Sequence, residues 1–248
     1  MDAVTVPPSD LGSPQIDHFA DVRDRVLRSV GSTPKSYDYP WLQRGYMMQF
    51  LELERAVAEE MRKVTGGSLQ DRAILDIGCG NGAWLCEFVK WGALPEQVTG
   101  IELLPDRAAQ ARELCPAKVN IVCGDAAQMD FPDASFDVVT LFLAMCMMYE
   151  DELRHRVAAE ALRVLKPGGS ILWYDYRYQR PDQKGLMRST RKGEIKRLFP
   201  GCEYHLRSIH PFPPLSRRLA SVWPSAWNLL NLIPPLRTSL VGSIIKPA

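Results

Sequence analysis

The chain has 248 residues, of which 46% are hydrophobic and 24% charged, a balance that supports a sizeable core and excludes whole-chain disorder. No run of about 18 apolar residues predicts a transmembrane helix, and the opening MDAVTVPPSD lacks the basic start and apolar stretch of a signal peptide. The net charge of +1 is unevenly spread: residues 1–176 hold 17 Lys and Arg against 26 Asp and Glu, whereas residues 177–248 hold 13 against 3, which predicts an anion-facing C-terminal part.

In chain order, residues 1–35 are polar and proline-containing and predict a loose arm with a short helix near Asp17–Ser29. Residues 42–64 place apolar side chains at helical spacing and stop at Gly66 and Gly67. A strand–helix alternation follows. Ala73–Ile77, Val98–Glu102, Val119–Cys123, Phe136–Phe142 and Ser170–Tyr174 read as buried strands. Ala83–Trp91, Pro105–Leu114 and Glu150–Leu165 read as helices, the second opening on proline and the third ending at Lys166-Pro-Gly-Gly169. This rhythm predicts an α/β fold, a doubly wound, mostly parallel sheet with helices on both faces. Beyond Tyr176 the pattern loosens into a basic loop over 177–193, a helix over Lys192–Leu198, and strand candidates at Glu203–Ile209 and Leu236–Ile245. Between those strands, residues 211–235 mix prolines with apolar side chains. The organisation expected is an N-terminal arm and helical lid (1–69) on a main domain (70–248) with a basic acceptor or cap region at about 177–235.

None of the six cysteines forms a C-x-x-C pair, and all sit in apolar segments. They read as free thiols of a reducing, cytoplasmic compartment, with no metal site.

The densest chemistry lies in Ile74-Leu-Asp-Ile-Gly-Cys-Gly-Asn-Gly82, a buried strand running through glycines into a helix. Glycine lets the backbone turn tightly and approach a ligand. By spacing, Gly78-x-Gly80-x-x-Ala83 with Glu102 downstream fits a nicotinamide dinucleotide fingerprint. Three features point elsewhere. Asp76 precedes the first glycine and can meet a cationic amino group, Gly124-Asp-Ala126 follows the third strand, and Leu165-Lys-Pro-Gly-Gly169 forms a turn before the fifth.

Over residues 70–176 this combination resembles the class I S-adenosylmethionine-dependent methyltransferases, of the group known as methyltransferase domain 11. The resemblance implies a Rossmann-like seven-stranded sheet, S-adenosyl-L-methionine as cofactor and methyl transfer as activity. It implies that Gly78, Gly80 and Gly82 face the methionine part, Asp76 its amino group, and Glu102 both ribose hydroxyls. Leu103 would pack on the adenine, Asp125 would accept from its amino group with Ala126 alongside, and Leu141, Phe142 and Leu143 would line the cofactor. Core packing is the alternative for the apolar residues.

The acceptor is less defined. Many relatives place a histidine after strand four, where this chain has Ala144-Met-Cys-Met-Met148, a soft wall suited to an apolar or flat acceptor. The catalytic residues stay open: Asp175, which could be the base, Tyr176, Arg177 and His210 are the candidates, with Tyr178, His155 and His205 also weighed. Tyr37, Tyr39, Trp41 and Tyr46 are lid candidates. The resemblance brings neither the Pro-Pro motif of base methylation nor the acidic pair of protein arginine methylation, and no nucleic-acid module is appended. The acceptor expected is a small molecule, glycan or lipid-linked compound, phosphorylated compounds included, methylated on oxygen in biosynthesis. A quinone-type carbon or oxygen methyltransferase is the alternative; a nicotinamide oxidoreductase and a non-catalytic cofactor-binding module are alternatives of other classes. Arg217, Arg218, Trp223 and Trp227 beside Leu229, Leu230, Leu232 and Ile233 resemble an interfacial segment that would hold the protein at the inner face of a membrane; a cap over the acceptor pocket is the other option.

Overall fold

The computed structural model describes Asp24, residues 42–179, Gly185 and residues 187–248. The N-terminal arm with its predicted helix (Asp24 apart) and Tyr37, Tyr39 and Trp41 lie outside the described residues.

Seven strands form one sheet: β1 (Ile74–Ile77), β2 (Val98–Glu102), β3 (Asn120–Cys123), β4 (Phe136–Phe142), β5 (Leu165–Tyr176), β6 (Glu203–Pro211) and β7 (Arg237–Ile245). Their order is β3-β2-β1-β4-β5-β7-β6. The first five run parallel, and β7 is antiparallel to both its neighbours. The helices are α1 (Arg44–Thr65), α2 (Ala83–Lys90), α3 (Pro105–Leu114), α4 (Asp151–Val164), α5 (Lys192–Leu198), α6 (Pro213–Val222) and α7 (Ser225–Asn231). Among the described residues no helix is long and apolar enough to cross a membrane.

The strands are apolar nearly throughout because both faces are covered. Successive side chains alternate between two cores. Leu75, Ile77, Val139, Leu141, Ile171 and Trp173 pack under α4 and α5. Ile74, Val138, Phe142, Leu172 and Tyr174 pack under α1, α2 and α3 on the other face. The doubly wound arrangement expected from the strand–helix rhythm is the one observed.

Two departures have physical causes. Strand β5 starts at Leu165, not Ser170, because Leu165 already pairs with Phe136 before a register shift between Phe136 and Val138. The prolines and glycines there shape an irregular strand start instead of a separate turn. Residues 211–235, too short and proline-broken to show a period, form α6 and α7 between β6 and β7. They pack beside α1, where the Arg217 guanidinium lies 4.3 Å from the Tyr46 ring centre.

Trp173 is fully buried and meets the Phe199 ring edge-on at 6.2 Å. Among the described residues its Nε1 has no hydrogen-bond partner. Trp173→Ala is expected to cost about 3–5 kcal/mol in urea unfolding, and Trp173→Phe distinctly less, because it keeps a ring and removes the unpaired donor.

Candidate functional site

The carboxyl ends of β1 to β5 share one edge of the sheet, the place where open α/β sheets bind ligands. After Ile77 the chain turns through Gly78, Gly80 and Gly82, at φ 74°, 61° and 82°, values that glycine alone adopts freely. The N–H groups of Gly78 and Cys79 both donate to Ile101 O, at 2.8 and 3.2 Å. Gly82 then caps α2, and its carbonyl accepts from Cys86 N–H at 3.0 Å.

Two buried carboxylates stand at this loop. Glu102 ends β2; its Oε2 accepts from Gly80 N–H at 2.8 Å and its Oε1 from Leu104 N–H at 3.0 Å. Asp76, inside β1, accepts from the Thr140 hydroxyl at 2.5 Å. Burial pushes its carboxyl up to about 7; the Thr140 bond opposes this and the nearby Glu102 charge adds to it.

The other expected cofactor residues gather along the same edge. Leu103 is half-buried beside Glu102. Gly124 N–H donates to Glu102 O, which brings Asp125 and Ala126 next to the end of β2. Asp125 Oδ1 accepts from Ala127 N–H at 2.8 Å and holds this turn. Leu141 points into the α4 core, and Phe142 meets the Trp84 ring at 5.0 Å on the opposite face. Leu143 follows with φ 55°, a strained value for a branched side chain, stabilised where its N–H donates to Tyr174 O.

Beyond β4 the methionine segment is less of a wall than its sequence suggests. Met145 and Cys146 are fully buried, and only Met147 and Met148 are half-exposed. Arg154 of α4, itself fully buried, organises this side. It donates to Met145 O at 2.9 Å, Met148 O at 3.1 Å and Thr190 Oγ1 at 2.5 Å, and its Nε lies 3.2 Å from Glu194. Asp175 ends β5 nearby. One oxygen accepts from Tyr176 N–H at 2.6 Å, and the carboxyl is buried beside the Cys146 thiol and Arg154. Burial lifts its carboxyl to about 7, opposed by that N–H, the Cys146 thiol and Arg154. Arg154, Thr190 and Glu194 carry no spacing signal; they meet only through the fold.

The remaining base candidates are dispersed. Tyr176 is half-buried, and Arg177 donates to Pro234 O and stacks on Tyr178. His210 ends β6 at φ 61°, fully buried, with Nδ1 3.2 Å from the Tyr174 hydroxyl. Burial lowers it to about 3. His205 pairs with Glu203 on the surface, and His155 is exposed on α4.

With this geometry in place, comparison with known proteins identifies the domain. Residues 74–169 match a family model described as a methyltransferase domain. The 2-methyl-6-phytyl-1,4-hydroquinone methyltransferase of a Synechocystis species is 35% identical over 128 residues, 51% of this chain and 38% of that one. The demethylmenaquinone methyltransferase of Tropheryma whipplei is 32% identical over 169 residues, 66% of this chain and 62% of that one. A solved S-adenosylmethionine-dependent methyltransferase from Mesorhizobium loti shares the fold at TM-score 0.57 and 19% identity, covering 79% of this chain and 96% of that one. Residues 74–169 are thus a methyltransferase domain, and the fold around them is shared with solved proteins of the S-adenosylmethionine-dependent class. S-adenosylmethionine is the cofactor of that class, which sets aside the nicotinamide alternative. The chain spans less than two thirds of the length of these two curated relatives.

The raised carboxyl of Asp76 has a consequence for the ligand-free protein. A folded-state value above the ordinary 3.8 stabilises the fold fully below about pH 4, and that contribution is lost as pH rises through about 7. In urea unfolding from pH 4 to 8, Asp76→Asn is expected to gain on the wild type by roughly 2–4 kcal/mol. A difference independent of pH would show that Asp76 is ionised throughout.

Proposed function

We propose that the chain transfers a methyl group from S-adenosylmethionine to a small, lipid-like acceptor, of which a quinol or lipid-linked compound is the leading class. The convergence of Asp76 and Glu102 on the glycine loop carries the cofactor part. These donors suit that molecule: a buried carboxylate for an ammonium, and a second for two hydroxyls. The loop offers bare backbone, since a Cβ at Gly78 would come within 3.2 Å of Ala144 Cβ.

When bound, the cofactor supplies a methyl group activated on a sulfonium. Asp76 holds the amino group. Glu102 takes the ribose hydroxyls on lone pairs that its two backbone donors leave free. Leu103 and Ala126 would pack on the adenine and Asp125 would accept from its amino group, while Leu141 and Phe142 serve the two cores behind the site. The main contribution of these residues is alignment, which is worth up to about 7–11 kcal/mol. A base that takes a hydroxyl proton adds about 10²–10⁴-fold. Among the candidates, Asp175 has a proton affinity near neutrality. His210, neutral down to acid pH, suits orientation through Tyr174 and not proton abstraction; Tyr176 and Arg177 flank Asp175 as contacts.

Calorimetry with S-adenosylhomocysteine is expected to give micromolar binding. Asp76→Ala and Glu102→Ala should each weaken it about tenfold or more, the loss of a hydrogen bond to a charged group. Absence of binding, or equal binding of NADH, would overturn the proposal.

Two observations favour a lipid-like acceptor over a glycan or a nucleic acid. The curated relatives quoted above are named for prenylated quinols and a menaquinone precursor. The helices between β6 and β7 also leave apolar side chains in water: Val222 is 87% exposed, Leu232 72% and Trp223 56%, with Arg218 exposed among them. Such a face suits peripheral contact with an anionic membrane. The protein is expected to sediment with anionic vesicles at low salt and less with neutral ones. Val222→Asp or Trp223→Ala should reduce sedimentation, and indifference to both changes would remove the membrane contact.

A further inference from the structure

Three thiols surround the glycine loop, and two of them touch. Cys86, half-buried on α2, has its Sγ 3.6 Å from Cys115 Sγ, at the residue that ends α3. Both are free thiols. The Cys86 thiol also reaches Leu114 O at 3.6 Å. Cys115 turns the other way as well: its thiol donates to Gly82 O at 3.5 Å. It lies so close that a Cβ built on Gly82 would come within 2.4 Å of its sulfur. Gly82 is the last glycine of the loop and the cap of α2, so the Cys115 sulfur is part of the loop's packing. Cys79, the third thiol, packs instead against Gly100 of β2.

We propose that Cys86 and Cys115 are a modification site, a thiol pair that a hydroperoxide converts reversibly into a disulfide that loosens the glycine loop. Half-buried Cys86 is the entry point. Its sulfur attacks a hydroperoxide oxygen, the O–O bond breaks, and water or an alcohol leaves a sulfenic acid on Cys86. The Cys115 sulfur then attacks the Cys86 sulfur. The S–S bond forms, the S–O bond breaks, and the oxygen departs as water with the Cys115 proton. Two thiols are oxidised and one hydroperoxide is reduced. Cys115 is buried where Cys86 is half-buried, which assigns Cys115 the second step.

A disulfide requires the sulfurs to close to about 2 Å, which draws Cys115 away from Gly82 and removes the thiol donor from its carbonyl. The loop's own bonds to Ile101 O remain, so the consequence is a weakened site and not an unfolded one. The effect on the cofactor rests on the function proposed above; the formation of the bond does not.

The full chain, reduced and then treated with hydrogen peroxide, tests both parts. Peptide mapping without reductant is expected to find the Cys86 and Cys115 peptides joined, with free thiols falling from six to four. S-adenosylhomocysteine binding should weaken about fivefold, the scale of one hydrogen bond, and recover with dithiothreitol. Cys86→Ser, at the half-buried position, should fold, form no bond and lose the response to peroxide. Oxidation that falls on exposed Cys123 and leaves the pair free would overturn the proposal, as would a joined pair with unchanged binding. Failure of the reduced protein to bind at all would overturn the proposed cofactor site, while the peptide map would still decide whether the pair closes.

Discussion

The carboxylate of Glu102 accepts from the N–H of Gly80 on one oxygen and of Leu104 on the other, and so ties the end of β2 to the loop that leaves β1. The turn between β1 and α2 is pinned by that tie. It holds the glycines at left-handed angles, aims α2 away from the sheet, and brings Asp76 within electrostatic reach of a second carboxylate. Burial, with a smaller push from the Glu102 charge, raises the Asp76 carboxyl to about 7. In the proposed reading, a cationic group bound between strand and loop favours the ionised form of this carboxyl. A nicotinamide dinucleotide could use the same glycines but offers no ammonium to pair with Asp76, so the proposed role of this carboxylate and the methyltransferase-domain match point the same way.

The other half of the edge works differently. Around Asp175 the groups answer to a guanidinium and not to glycines: Arg154 reaches two carbonyls after β4, a threonine after β5 and a glutamate on α5. The cofactor half is built from backbone and can accept only one shape of ligand. The acceptor half is built from side chains on segments distant in the chain, the more variable kind of construction. This contrast explains why class and cofactor follow readily while the acceptor does not.

The same contrast governs how much could be read from the amino acids. Bounds of β2, β4, α3 and α5 coincide with their sequence expectation, because each is a short unbroken pattern closed by proline, glycine or charge. The glycine loop was visible because a strand, three glycines and a helix lie consecutively. Arg154 was invisible: it follows Leu153 on an amphipathic helix, where an arginine reads as surface, and only contacts with residues up to 40 positions away bury it. The irregular start of β5 was masked by Pro-Gly-Gly, which signals a turn. Helices α6 and α7 were masked by the prolines at 211, 213, 214, 224, 234 and 235, which read as a broken, irregular segment. The touching thiols of Cys86 and Cys115 lie 29 positions apart and fit no spacing rule.

Arg154 also decides how the region beyond β4 and β5 can move. A charge without water is tolerated only while its partners remain, and stripping a buried ion of its partner is far more expensive than breaking an ordinary contact. Its partners sit on two stretches of chain, Met145–Met148 and Thr190–Glu194, so neither can drift on its own. Thermal opening of this region is therefore an all-or-none event of one small cooperative unit: the loop after β4, the strand-end loop carrying Thr190 and the first turn of α5 stay closed together or release together.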